Sequence, residues 1–167
     1  MRYRLSLLLL LACLLRPAWA APPTPLEYGI AVEAGNTWAV QKWLDDGLPA
    51  DYVADRIGSG LMIAAWNGHI EMMRLFLSRG ADVHFRNRFD EQALQMAAWR
   101  GHADAVRVLL EHGARLNREG RQWSALHYAV FAGHDEIARL LMAKGADIDA
   151  RTPNDTTALM LAAREGK

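Results

Sequence analysis

One cysteine, Cys13, occurs in 167 residues, and it falls within the first twenty. Without a second thiol the chain can form no internal disulfide and has no pair for a cysteine zinc site. Charge of neither sign is in excess: 19 Lys and Arg face 19 Asp and Glu. Such a balance lacks the basic surplus that draws a protein to nucleic acid or to an anionic membrane. The longest mainly apolar run, residues 5–15 with Ser6 its one polar member, has 11 residues, whereas crossing a bilayer core takes about 20. Also missing are a Gly-rich phosphate loop, a nucleophile elbow and a zinc-binding HExxH, which removes the sequence grounds for the chemistries those motifs serve. The expectation is a chain that is not an enzyme, uses no cofactor or metal, and is stabilised by packing alone.

The apolar run belongs to the opening segment. Arg2 and Arg4 precede it, and Ala18-Trp19-Ala20 supplies small residues after it, the pattern of a secretory signal. Residues 1–20 are expected to be cleaved after Ala20, residues 21–25 to form a Pro-rich linker, and the product to be periplasmic or secreted. A lipoprotein signal ending at Cys13 is the alternative, since the preceding "LLA" loosely resembles a lipobox. Removing residues 1–20 takes away Arg2, Arg4 and Arg16 and no acid, so 19 − 3 = 16 basic residues face 19 acidic ones, a net charge of −3. The cysteine leaves as well, so no thiol remains to mispair in an oxidising compartment.

What is abundant is repetition. Gly35, Gly68, Gly101, Gly133 and Gly166 stand 33, 33, 32 and 33 residues apart. Gly47, Gly80, Gly113 and Gly145 keep the same period, as do Leu61, Leu94, Leu126 and Leu159. The one missing residue lies between Gly113 and Leu126, in an inter-repeat loop that tolerates a deletion. A fixed period of this length marks a stacked array. Each unit reads as two short helices and a loop. In the third unit the first helix starts at Ala93 and ends before Gly101, which accepts a left-handed C-cap. The second runs over 102–111 with Val106, Val108, Leu109 and Leu110 inward. First helices are rich in alanine (Ala64-Ala65, Ala97-Ala98) and second helices in Leu, Val, Met and Phe. Stacking thin sides with thick sides predicts a curved array with the first helices on its concave wall.

The segment 124–150, "SALHYAVFAGHDEIARLLMAKGADIDA", resembles an ankyrin repeat almost in full. Residues 59–86 and 92–117 resemble it nearly as well, whereas 26–51 is weaker and fits a polar N-terminal capping repeat. The resemblance spans residues 26–167, with units at about 26–54, 55–86, 87–118, 119–151 and a partial 152–167. It departs at the TPLH motif, which here reads "SGLM", "QALQ", "SALH" and "TALM". It implies an all-α solenoid of helix-turn-helix units with hairpin-like loops, and binding of another protein on the concave face. Joined to a signal peptide, it is similar to exported bacterial ankyrin proteins, some of which support or inhibit periplasmic enzymes. The last unit lacks a second helix and is expected to expose Leu159 and Leu161. Either residues 160–167 suffice as a short cap or the chain is truncated.

Candidate contacts follow from the repeat frame. His69, His102 and His134 recur at repeat spacing, but equivalent atoms of stacked units lie about 8–10 Å apart. Zinc needs each nitrogen at about 2.0–2.1 Å, so the expected role is hydrogen bonding in turns. Met72, Met73 and Met142 are expected to fill the core, and Trp38 and Trp43 to pack near the N-terminal unit. Glu71–Arg74, Asp104–Arg107 and Glu136–Arg139 are expected to close i,i+3 pairs on the outer face. Trp66, Trp99 and Phe131 share one position at the end of the first helix, which the outer units fill with Glu33 and Arg164. In the ankyrin family this position is among the variable partner contacts. The three rings are expected as apolar anchors at about 10 Å intervals, with Asn67 and Arg100 beside them. At the loop tips lie Arg56, Arg88, Phe89, Glu91, Arg121 and Trp123, with Arg88, Arg100 and Arg121 suited to a partner's acids. Trp and Arg carry much of the energy of known interfaces. On this view Trp66→Ala with Trp99→Ala leaves stability within about 1–2 kcal/mol of wild type. The competing readings are an exported small-ligand binder that stacks on the strip, or an inert spacer.

Overall fold

The computed structural model describes residues 21–54 and 57–166. The signal expected over 1–20 and the loop residue Arg56 lie outside the described residues. Nine helices are seen among the described residues: α1 Pro25–Glu33, α2 Thr37–Asp45, α3 Gly60–Asn67, α4 Ile70–Ser78, α5 Ala93–Arg100, α6 Ala103–Glu111, α7 Ala125–Ala132, α8 Asp135–Ala143 and α9 Ala158–Glu165. None of them is long and apolar enough to cross a membrane. The fold is an all-α repeat solenoid. Odd helices stack on odd helices and even on even, and the odd layer is the more closely packed. Ala64, Ala65, Ala97, Ala98 and Ala129 are fully buried in the odd layer, so side chains without bulk set that approach.

Helix starts follow from capping. Thr24 and Glu27 form a reciprocal capping box ahead of α1, with Pro25 just inside. The TPLH departures resolve individually. Ser124 and His127 build a capping box on α7, whereas Gln92 and Gln95 build an amide version on α5. Thr157 caps α9 through the Met160 N–H, and Ser59 forms no cap bond at α3. Buried His127 also joins its Nε2 to the Ala150 carbonyl at 3.1 Å. Burial and these bonds oppose one another, and burial prevails, holding its pKa below the ordinary histidine value.

Helix ends explain the Gly-His pairs. Gly68 and Gly101 adopt φ of 70° and 81°, where a side chain is strained. They also receive the next unit's imidazole: a Cβ on Gly68 would lie 2.7 Å from His102 Nδ1, and one on Gly101 2.6 Å from His134 Cε1. The Nε2 atoms of His69, His102 and His134 meet the carbonyls of Glu33, Trp66 and Trp99 at 2.9, 3.1 and 2.9 Å. The three histidines thus tie each unit to the helix end of the unit before it, not to their own turns.

Loops add a second set of ties. The Asp51 carboxylate accepts from the Asp82 N–H, and Asn117 Oδ1 from the Asp147 N–H at 2.8 Å. Asn87 donates to the Ile57 carbonyl at 3.0 Å, while its Oδ1 accepts from the Phe89 and Glu91 N–H groups. One amide therefore both anchors the loop and shapes its tip.

Several expectations are corrected. Among the described residues none of the three i,i+3 pairs closes; Arg107 reaches Glu136 of the next unit at 3.0 Å, and Arg139 meets Asp135 at 3.8 Å. Trp43 packs on Tyr28, their centroids 6.2 Å apart, but Trp38 is 76 % exposed. Met72 and Met73 are core, whereas Met142 is exposed on α8. In the last unit Leu161 is buried but Leu159 is 77 % exposed, against 1–2 % for Leu61, Leu94 and Leu126. Helix α9 packs on α7, and Leu159 stands at the repeat position of Leu61, Leu94 and Leu126.

Candidate functional site

The three rings of the repeat frame do stand at helix ends on one side, but not apart. Trp66 and Trp99 meet edge-to-face with centroids 5.5 Å apart, and Trp99 stacks on Tyr128 at 5.2 Å. Tyr128 in turn touches Trp123 at 5.2 Å, and Trp123 meets Phe131 edge-to-face at 5.7 Å. A continuous ladder thus crosses units two to four. The expected 10 Å spacing fails because indoles are long enough to bridge between equivalent backbone positions. Trp66, Trp123 and Tyr128 are half-buried, while Trp99 and Phe131 are each 38 % exposed. The ladder is therefore packed against itself beneath and open along its rim.

Tyr128 was not among the residues singled out by sequence. It falls in the column of Ile63, Met96 and Leu161, all buried, which reads as core. The signal was its hydroxyl, the one polar group in that column, which needs a partner when buried. That partner is Glu91 Oε1 at 2.9 Å, in the preceding unit's loop. Burial first, and the bond to Glu91 second, push the Tyr128 pKa far up, so the hydroxyl stays protonated and donates.

Guanidinium groups border the ladder. Arg100 lies over the Trp66 ring, 5.0 Å from its centroid, and Arg88 lies 4.7 Å over Phe89, itself 61 % exposed. Such cation–π contacts hold arginine flat against a ring while its edge N–H groups stay open. Asn67, expected to face a partner, donates to the Ile63 carbonyl of its own helix at 2.9 Å. Its amide hydrogen-bonds within α3.

Two loop aspartates in left-handed conformation, Asp90 (φ 60°) and Asp155 (φ 61°), organise the remaining charges. Arg118, its side chain almost buried, reaches both the carbonyl and the carboxylate of Asp90 at 2.5 Å. Arg86 adds a contact at 2.9 Å. Partial desolvation pushes the Asp90 carboxyl up, yet the two guanidiniums together hold it below the ordinary carboxylate range. Asp155 is shared in the same way by Arg151 at 3.1 Å and Arg121 at 3.2 Å. Between the two clusters Phe89, Arg118, Arg121, Trp123, Tyr128 and Pro153 line an open depression of about 340 Å³. The structure thus brings Arg88, Phe89, Arg121 and Trp123 to one place, and Trp66, Trp99 and Arg100 to the other end of the ladder. Asp90, Arg118 and Tyr128, which sequence did not single out, hold the two ends in register.

No grouping of three or more His, Asp, Glu or Cys that could hold a metal ion occurs among the described residues. The arrangement can offer apolar edges, cation–π-held guanidiniums and a shallow recess.

A family model for ankyrin repeats, in three copies, matches residues 61–152 and 125–167, which is more than half of the chain. No curated protein matches it.

Proposed function

The chain belongs to the ankyrin-repeat family, whose members generally bind other proteins, and from that premise we propose that it grips a partner protein along the aromatic ladder of units two to four. The observation that carries this reading is the ladder itself. Five rings in mutual contact, flanked by Phe89 and by two guanidiniums lying on rings, make a contiguous apolar rim with fixed cations beside it. A contiguous strip of this kind is unlike the scattered apolar residues of an ordinary surface. Because the rings already brace one another, docking freezes few additional rotamers. The rigid odd-helix layer beneath supplies the platform.

Under this proposal the partner is met after export, in the periplasm or outside the cell. The signal-like residues 1–20 support that location, and the array supports or inhibits an enzyme there. The test is capture from periplasmic extract by the chain lacking residues 1–20, followed by mass spectrometry. The same partner should be lost with Arg88→Glu and Phe89→Ala together and retained with Trp38→Ala, an exposed indole outside the ladder. Equal capture by all three proteins would sink the assignment of this face.

A further inference from the structure

Arginine is distributed unevenly around the ladder. Each of the two left-handed aspartates is shared by two guanidiniums; Glu91, which lines the depression beside Asp90, balances the charge there, whereas the Asp155 cluster keeps one positive charge in surplus. Arg118 is almost buried and bonds to a backbone carbonyl as well, which makes it part of the framework. Arg121 differs: its side chain is 64 % exposed and its one ion pair among the described residues is with Asp155, which is half exposed. An exposed pair of this kind holds little, and Asp155 keeps Arg151 if Arg121 leaves. Arg88 and Arg100 lie on rings and form no ion pair among the described residues. Residues 21–167 as a whole carry three more acids than bases, so this rim is basic on an acidic chain.

Resting on the reading of this face as protein-binding, we propose that its occupant is an acidic segment bearing an apolar side chain. The apolar side chain enters the depression between Phe89 and Pro153 against Trp123 and Tyr128. A neighbouring carboxylate takes Arg121 from Asp155, and further carboxylates meet the outer edges of Arg88 and Arg100. Guanidinium suits this role because its planar fork grips a carboxylate at two points while its face stays on a ring. The same charges repel a basic segment of equal apolar content, so the rim discriminates as well as attracts.

The test uses two synthetic twelve-residue peptides with capped ends and the same Phe and Leu positions. One places Asp and Glu between them, and the other Asn and Gln. Binding is read from the indole N–H resonances of the ¹⁵N-labelled chain lacking residues 1–20. The acidic peptide should bind at least tenfold more tightly, and 0.5 M salt should remove most of that difference. Arg88→Gln with Arg121→Gln, two exposed positions that leave the fold intact, should bring both peptides to equal affinity. Equal binding of the two peptides by the unaltered chain overturns the acidic preference and leaves the ladder as an apolar docking surface. Failure of both peptides to move any indole resonance overturns the binding face itself, and the preference with it.

Discussion

Replacing Trp99 by alanine should damage the fold more than the sequence frame implies, and the size of the effect can be worked from its surroundings. Trp99 is 38 % exposed, so about three-fifths of it is covered. A tryptophan buries at most about 250 Å², and three-fifths of that at about 25 cal/mol per Å² is roughly 4 kcal/mol. A compact unfolded state lowers this by about 10–40 %, and the retained Cβ lowers it further, to about 2 kcal/mol. The lost ring contacts with Trp66 and Tyr128 restore about 0.5–1.5 kcal/mol each. The expected loss is therefore about 3–5 kcal/mol, beyond the 1–2 kcal/mol that removable surface anchors allow. Trp38, 76 % exposed, supplies the control: by the same reasoning its loss costs about 1 kcal/mol or less.

Trp99 also spans two unit interfaces, since Trp66 belongs to unit two and Tyr128 to unit four. Solenoid stability is close to a sum of unit and nearest-neighbour terms, so weakening two interfaces at once should loosen their coupling. Urea unfolding followed by circular dichroism should show a lower midpoint and a shallower transition for Trp99→Ala, and only a small midpoint shift for Trp38→Ala. Equal losses for the two variants would refute the reasoning, because the ladder would then contribute nothing that an isolated exposed indole does not. One consequence concerns binding assays. Partner contact must be probed at Phe89, Arg88 and Arg121, whose truncation spares the ladder, and not at Trp66 or Trp99.

Gly60→Ala ordinarily favours a helix by about 1 kcal/mol, but here the added Cβ would lie 2.1 Å from the Tyr28 hydroxyl and 2.4 Å from Phe76 Cζ. A net destabilisation of about 1–3 kcal/mol in thermal unfolding is expected from overpacking, and a gain in stability would contradict the close approach. His127 binds its proton less readily folded than unfolded; the unfolded chain therefore takes up more protons below its ordinary value near 6.5, and stability should fall as pH drops through that value. His127→Gln, which copies the Gln95 of the neighbouring capping box, should flatten the stability profile between pH 7.5 and 5, and an unchanged slope would assign it to other groups. Leu126→Ala should cost about 2–5 kcal/mol, whereas Leu159→Gln, at the equivalent but uncovered position, should stay within about 0.5 kcal/mol of wild type; a comparable loss at both would show that Leu159 is covered in solution.

How far these features could be read in advance depended on whether a residue's role is set by its own unit or by its neighbours. Period, helix limits and the glycine caps are properties of one unit repeated, and Gly101 and Leu94 stand where the frame places them. The frame places the histidines in turns because it describes a unit in isolation. Their carbonyl partners, such as Trp66 and Trp99, lie one unit back, some 35 residues away in sequence. The charges show the same limit: Arg107 has an acid three residues before it but pairs with Glu136 across the stack. Exposed pairs at short spacing are too weak to hold a side chain against a better placed carboxylate. Tyr128 and Arg118 stayed hidden for a related reason. Tyr128 sits in a column that reads as structural, and each of the two acquires its role only when Glu91 or Asp90 arrives from the preceding loop. The face of an array is therefore specified pairwise, by what unit n offers to unit n + 1. That is also why the ladder is both support and surface: the contacts that aim Trp99 outward are the ones that join unit three to its neighbours.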